Sequence, residues 1–168
     1  MNYASIRTCD IANGEGVRVS LFVSGCRHHC PGCFNREAQA FAYGEPFTCA
    51  VEDAILYALA PSHVSGLTLL GGEPMEPENQ RALAPFLRRF RDRFGAAKTL
   101  WIYTGCVLDL ETRRFTEPAY NVVETDEILA LTDVLVDGPF VEALKDISLK
   151  FRGSSNQRIL ALSREIAQ

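Results

Sequence analysis

Apolar residues fall into short runs along the chain, and each run ends in glycine or in polar residues. Runs of this kind, bounded by turn residues, are typical of buried strands. They predict four strands, at residues 17–23, 66–70, 99–103 and 133–137. Elsewhere, apolar residues recur three and four positions apart, which is typical of helices that bury one face. This spacing predicts helices at 50–59, at 83–94 with a kink or a restart at Pro85, and briefly at 140–145.

The alternation of strands and helices predicts an α/β fold with a mainly parallel sheet. The chain has 168 residues, which fits a single domain, 1–168. A closed eightfold barrel typically takes about 250 residues. The expected architecture is therefore a partial (open) β/α barrel.

Polar motifs begin where the predicted strands end. They are a group of cysteines after Val23, Gly71-Gly72-Glu73 after Leu70, Thr104 after Tyr103, and Asp137 after Val136. In parallel α/β architectures the carboxyl ends of the strands share one face, and ligands bind there. We therefore expect these motifs to converge on one cavity.

Composition and charge exclude several classes of protein. The chain is 47% hydrophobic and 23% charged, as in ordinary globular proteins. Its net charge of −4 argues against a nucleic-acid partner, which usually requires a basic excess. No apolar run approaches the roughly 18–20 residues of a membrane span, and the first residues lack the apolar stretch of a signal peptide. We expect a cytoplasmic protein that acts without a membrane.

Three of the six cysteines, Cys26, Cys30 and Cys33, fall within eight residues. Thiolates suit iron–sulfur clusters and zinc. Three ligands without an evident fourth cysteine favour a cluster that leaves one iron open for another molecule. A structural zinc completed by His28 or His29 stays open as an alternative, although such sites usually draw on two separated pairs. We expect the scattered cysteines to be semi-buried apolar residues; they are Cys9, Cys49 and Cys106.

The segment Gly71-Gly72-Glu73-Pro74 follows a predicted strand. Glycine lets the backbone bend sharply and approach a ligand, and Glu73 could accept hydrogen bonds from an ammonium group. A plain turn into a helix, with Pro74 at its start, explains the segment equally well by itself. The cysteine motif about 40 residues earlier favours a ligand site.

The motifs Cys26-x3-Cys30-x2-Cys33 and Gly71-Gly72-Glu73, each after a strand, resemble those of the radical S-adenosylmethionine (SAM) superfamily. Within it, the chain is similar to the anaerobic ribonucleoside-triphosphate reductase-activating proteins, small partners of a glycyl-radical reductase. The similarity extends over nearly the whole chain. The stretches that carry it are 10–14, 21–26, 30–35, 46–48, 101–105, 134–138 and 152–157.

This resemblance implies that the three cysteines hold a 4Fe–4S cluster whose open iron binds the amino and carboxylate groups of SAM. An electron from a donor such as flavodoxin would break a C–S bond of SAM and produce a 5′-deoxyadenosyl radical. That radical would take a hydrogen atom from a glycine of the partner, the anaerobic ribonucleoside-triphosphate reductase. The cofactors supply the reactive chemistry, and the protein sets the geometry.

The resemblance also implies how SAM is bound. The methionine ammonium would lie at the turn formed by Gly71, Gly72 and Glu73. The adenosyl end would lie along Gly32 and Phe34, with Phe34 against the adenine. Thr104 and Asp137 would contact SAM or a cation near it. The chain departs from the superfamily pattern at Gly32, where many members have an aromatic residue, and at Cys106, where an aromatic residue is expected.

Two other functions stay open from the sequence alone. The first is another small radical SAM enzyme, with a different glycyl-radical partner or a small-molecule substrate. The second is a zinc-stabilised binding module without catalysis.

The long helix carries a group of arginines on its polar side; they are Arg81, Arg88, Arg89, Arg91 and Arg93. Such a group favours the interpretation of a solvated face over that of a docking surface for an acidic partner. The polar segment 152–157 is either a local turn network or, as the resemblance favours, a binding loop.

Overall fold

The computed structural model describes residues 1–162, so the end of the predicted domain, 163–168, lies outside the described residues. The strands are β1 (Asn2–Asp10), β2 (Val17–Val23), β3 (Glu45–Pro46), β4 (Val64–Gly71), β5 (Thr99–Tyr103), β6 (Leu108–Asp109), β7 (Arg114–Phe115), β8 (Val134–Asp137) and β9 (Arg158–Ala161). The α-helices are α1 (Cys49–Ala58), α2 (Pro77–Phe94) and α3 (Thr125–Leu131). Short 3-10 helices lie at Glu37–Gln39, Pro118–Tyr120 and Glu142–Leu144.

Seven of the strands in residues 1–162 form one sheet, in the order β3-β1-β2-β4-β5-β8-β9. The inner strands β2, β4, β5 and β8 run parallel to one another. At the two sides of the sheet, β1, β3 and β9 pair antiparallel. Val23 lies opposite Gly71, and Tyr103 lies opposite Val136, so the carboxyl ends of the parallel strands meet at one edge. The α/β fold and the mainly parallel sheet confirm the prediction.

One face of the sheet carries the hydrophobic core. Side chains alternate across a strand, and Val19, Leu21 and Val23 of β2 pack with apolar residues of the three helices. The helical side of this core consists of Ile55 and Leu56 from α1, Leu83, Phe86, Leu87 and Phe90 from α2, and Ile128 and Leu129 from α3. The burial of these side chains supplies the main driving force for the fold.

The alternate residues of the same strands form a second, more polar face. Arg18, Ser20 and Thr68 are buried there, together with Trp101. The Arg18 side chain is fully buried. It donates hydrogen bonds to Thr68 Oγ1 at 2.6 Å, to the carbonyl oxygens of Leu67 and Thr99, and to two further oxygen atoms. Burial lowers the pKa of Arg18 to about 10. This face leads to the carboxyl edge of the sheet.

Helix α2 runs through Pro85 without a restart, one of the two alternatives expected there, because residues on both sides of the proline pack into the core. Two predictions about local structure were wrong, and one strand was missed. Residues 140–145 contain only a 3-10 turn, and their side chains are mostly exposed, so no apolar face favours an α-helix. Cys9 and Cys49 are exposed rather than semi-buried. The first strand, β1, was not predicted, because most of its side chains are exposed or half-buried and leave no apolar run.

Candidate active site

A cavity of about 510 Å³ opens at the carboxyl edge of the parallel strands. Its walls include eight of the ten residues expected to bind cluster or SAM; they are Cys26, Cys30, Cys33, Phe34, Gly71, Gly72, Glu73 and Thr104. These residues come from segments far apart in the sequence. They meet because each segment directly follows a strand of the same parallel sheet. The structure thus brings the predicted motifs together in one place.

Gly32 and Asp137 do not line this cavity. Asp137 is fully buried, and its carboxylate accepts hydrogen bonds from Arg158 Nε at 2.8 Å and from the backbone N–H of Leu108, also at 2.8 Å. Gly32 lies on the exposed side of the cysteine loop, where an added Cβ would stand 2.8 Å from the carboxylate of Glu142. Both residues contact other parts of the chain rather than the open space.

The cysteine loop, residues 26–33, is fixed to the fold at its start. The N–H of Gly25 donates to the carbonyl oxygen of Ala38 at 2.8 Å, and the N–H of Cys26 donates to that of Gln39 at 3.0 Å. Burial raises the pKa of the Cys26 thiol to about 12 and also raises the pKa of Cys30. A metal cluster would therefore have to displace thiol protons as it binds.

The cysteine loop fits an iron–sulfur cluster better than a single zinc ion. Thiolates on one zinc lie within about 4.6 Å of one another, twice a zinc–sulfur bond. Among the described residues, the group of three potential ligands whose ligand atoms lie within 4.8 Å of one another is His28, Glu73 and Cys106. The three motif cysteines do not form such a group, whereas a four-iron cluster binds each cysteine through a different iron.

Both glycines of the 71–73 turn are required by contacts inside the protein. Gly71 has a φ of +110°, and an added Cβ would lie 2.8 Å from the backbone of Phe22. At Gly72, an added Cβ would lie 2.6 Å from the carbonyl oxygen of Gly25. From the sequence, these glycines were expected either to let a ligand approach or to form a plain turn into a helix. The structure shows that they let the turn pack against β2 and the start of the cysteine loop.

The Glu73 carboxylate joins three segments of the site. It is only 1% exposed, and it accepts hydrogen bonds from the N–H of Met75 at 2.8 Å and of Gly105 at 2.7 Å. The ring Nε2 of His28 lies 3.0 Å from the same carboxylate. A carboxylate offers about four lone-pair positions, so these three donors leave capacity for an ammonium group.

His28 connects the cysteine loop to the rest of the site. Its ring stacks on Tyr120, with centroids 5.1 Å apart and planes at 15°. The hydrogen bond to Glu73 raises the pKa of His28, and Cys106 Sγ lies 3.6 Å from the same Nε2. His29 is exposed and contacts Gln39. Nothing in the sequence indicated that His28 would meet Glu73.

Removal of the imidazole should destabilise the cluster-free protein. In His28→Phe the ring still stacks on Tyr120, but the buried Glu73 carboxylate loses a donor. We expect the free energy of unfolding to fall by about 1–3 kcal/mol, measured by urea denaturation under reducing conditions. His28→Gln is the matched control, because its amide can again donate to Glu73 and should recover part of the loss. Equal stability of His28→Phe and the unmodified chain would contradict this role.

Arg27 provides a second attachment of the cysteine loop. Its backbone N–H donates to Glu76 Oε1 at 2.7 Å, and its guanidinium pairs with Glu76 and with Glu78, the latter at 2.7 Å. The hydrogen bond from Arg27 lowers the pKa of Glu78 to about 2. The buried Glu76 also accepts a hydrogen bond from Tyr120 Oη at 3.3 Å. The sequence analysis did not single out Arg27 or these glutamates, because their partners lie about 50 residues away.

The arginines of α2 are largely paired within the chain. Arg88 contacts Glu127 at 2.5 Å, Arg89 contacts Glu52 and Asp53, and Arg91 contacts Asp133 at 2.6 Å. These contacts neutralise most of the positive charge that a docking surface for an acidic partner would use. The structure thus favours a solvated, internally paired face.

Comparison with known proteins decides the family. Residues 12–160 match the family model described as a 4Fe–4S single cluster domain. The chain is 41% identical over 159 residues to the anaerobic ribonucleoside-triphosphate reductase-activating protein of Escherichia coli (strain K12). The aligned region covers 94% of this chain and 96% of the relative. The protein of that name from Pasteurella multocida (strain Pm70) is 41% identical over 161 residues, or 95% and 96% of the two chains. The one from Enterobacteria phage T4 is 35% identical over 159 residues, or 95% and 93%.

The chain belongs to the family of anaerobic ribonucleoside-triphosphate reductase-activating proteins. This membership confirms the family that the motifs indicated, and it removes the zinc-stabilised module as an alternative. The matched family model places the cysteine loop within a 4Fe–4S domain. Within residues 1–162, no helix is both long and apolar enough to cross a membrane.

Proposed function

We propose that this protein reductively cleaves SAM at a 4Fe–4S cluster and generates a glycyl radical on an anaerobic ribonucleoside-triphosphate reductase. The observation that carries the proposal is the convergence of the three motif cysteines and the 71–73 turn on one cavity. The printed names of the relatives, which describe activators of such a reductase, support the choice of partner.

In this proposal Cys26, Cys30 and Cys33 are the cluster ligands, and each contributes a thiolate from a loop that is fixed to the fold at its start. A cluster held there would supply the electron for the reductive cleavage of SAM. The Glu73 carboxylate, already oriented by three donors, accepts a hydrogen bond from the methionine ammonium. The backbone of Gly71 and Gly72 forms the wall beside it.

In this proposal Phe34 contacts the adenine. It lines the cavity and is 72% exposed, and its ring packs against Phe140 with centroids 5.8 Å apart. A flat apolar ring at a cavity mouth suits the stacking of a base. Thr104, directly after β5, also lines the cavity, and its hydroxyl oxygen accepts a hydrogen bond from the N–H of Cys106 at 3.0 Å.

Gly32 and Asp137 act on this site through their neighbours in our proposal. Asp137 holds Arg158 and the backbone of Leu108 beneath the cavity, and Gly32 lets the cysteine loop pack against Glu142.

We further propose that the sheet curves as a partial β/α barrel, that 1–168 forms a single domain in the cytoplasm, and that a flavodoxin-type protein donates the electron.

An anaerobic assay tests the proposed function. The cluster is reconstituted, SAM and dithionite are added, and 5′-deoxyadenosine is measured with and without the reductase of the same organism. We expect 5′-deoxyadenosine, together with a glycyl-radical doublet in the EPR spectrum of the reductase that requires all three motif cysteines. Formation of 5′-deoxyadenosine without a radical on that reductase would move the protein to a different radical SAM activity.

A further inference from the structure

Two buried polar atoms at the cavity have no hydrogen-bond partner. Among the described residues, Tyr103 Oη and Arg152 Nε are buried without one, and both residues line the cavity that contains the motif cysteines. A buried polar group without a partner costs free energy of folding, and it calls for an explanation. From the sequence, the segment that contains Arg152 was expected to be either a local turn network or, as the resemblance favours, a binding loop.

The two side chains lie on the same side of the sheet. Tyr103 ends β5 two residues after Trp101, so both side chains point to one face. Phe151, next to Arg152, packs edge-on against Trp101 with ring centroids 5.4 Å apart. This contact brings the segment 151–153 over the end of β5, where Tyr103 lies.

The loop that carries Arg152 is held rigidly. Gln157 Oε1 accepts hydrogen bonds from the N–H groups of Gly153 and Ser154, at 2.8 and 3.2 Å, and Gln157 Nε2 donates to the carbonyl oxygen of Gly138 at 3.0 Å. Arg152 Nη1 donates to the carbonyl oxygen of Gln157 at 3.0 Å. One end of the guanidinium is therefore anchored, while Nε has no hydrogen-bond partner within residues 1–162. Phe151 has a φ of +55°, and strain of this kind concentrates at functional sites.

The unpaired groups are hydrogen-bond donors. Arg152 Nε always carries a proton, and burial raises the pKa of Tyr103, so its hydroxyl keeps its proton as well. A target glycine has no side chain to recognise, so an enzyme that acts on it must bind the flanking peptide groups. Peptide carbonyl oxygens are the acceptors that such a segment presents at every residue.

We propose that Tyr103 and Arg152 bind the glycine-bearing segment of the partner reductase by donating hydrogen bonds to its backbone carbonyl oxygens. This inference rests on the proposed function and adds to it the residues that position the protein substrate. The carboxylate of SAM is the other acceptor that could reach the cavity, and the experiment distinguishes the two.

The test compares Tyr103→Phe with Tyr57→Phe, which removes the same hydroxyl from a tyrosine that is 79% exposed on α1. The concentrations of reductase and of SAM that give half-maximal glycyl radical are measured by EPR with the reconstituted enzyme. For Tyr103→Phe we expect the half-maximal reductase concentration to rise about 3–10-fold, which corresponds to the loss of one hydrogen bond. It should rise more than the half-maximal SAM concentration. Tyr57→Phe should shift neither.

Stability provides a second readout that a purely structural hydroxyl would not produce. Because Tyr103 Oη has no hydrogen-bond partner in the part of the chain that the structure describes, Tyr103→Phe should unfold at the same temperature as the unmodified chain or at a higher one. A lower unfolding temperature would overturn the proposal, as would a shift mainly in the SAM concentration or no shift at all. If the unmodified enzyme forms no glycyl radical, the proposed function fails first, and this inference fails with it.

Discussion

Cys30→Ala should reduce SAM cleavage by more than about 100-fold, because loss of a direct ligand should exceed the 10–100-fold cost of altering an outer partner of a metal site. Cys30 lines the cavity and lies outside the hydrophobic core. The stability of the cluster-free protein should therefore change little. The measurement is 5′-deoxyadenosine formed after anaerobic reconstitution, together with the iron and sulfide bound per chain.

The matched control for this substitution is Cys49→Ala. Cys49 is exposed at the start of α1 and does not line the cavity, so iron content and SAM cleavage should stay at the level of the unmodified chain. Full activity in Cys30→Ala would refute the assigned ligand set. Equal losses in the two variants would indicate a general sensitivity to cysteine replacement rather than a role in the cluster.

Arg18→Met should have the largest effect on stability. The substitution keeps a long side chain but removes the guanidinium, and five hydrogen bonds to buried or half-buried acceptors disappear. The desolvation that lowers the pKa of Arg18 offsets part of this loss. We expect the free energy of unfolding to fall by about 3 kcal/mol, measured by urea denaturation of the cluster-free protein.

Arg36→Met is the control for Arg18→Met, because Arg36 is exposed and a surface substitution usually changes stability by less than about 0.5 kcal/mol. If Arg18→Met proves as stable as the unmodified chain, the polar face of the sheet does not depend on this arginine. After anaerobic cluster reconstitution, Arg18→Met should also lose SAM cleavage at a lower urea concentration than the unmodified enzyme, since β2 leads directly into the cysteine loop.

The location of the site was predictable from local features. Each motif follows an apolar run, and the carboxyl ends of parallel strands meet at one edge. The prediction required only the strands and their direction, which the apolar runs and the intervening helices indicated. It succeeded for the residues directly after β2, β4 and β5, which line the cavity.

The contacts that hold the site together were not predictable in the same way. Glu73 was expected to face a ligand, yet its carboxylate accepts hydrogen bonds from His28 and the backbone of Gly105, which are 45 and 32 residues away. Nothing in a local pattern specifies which distant donor will meet a carboxylate. The same holds for Arg27 and its partners Glu76 and Glu78.

The sequence by itself determined the chemistry of this protein: the three thiols in one loop, the glycine-rich turn after a strand, and the parallel order that joins them. These features depend on residue type and on short-range periodicity, which a linear chain displays directly. Only the tertiary structure decided that Asp137 is used inside the fold, that the 71–73 glycines serve packing, and that Tyr103 and Arg152, which line the cavity, each leave one buried polar atom without a partner among the described residues. The physical reason is that hydrogen-bond satisfaction and close packing are set by neighbours in space, and most of those neighbours are far apart in the sequence.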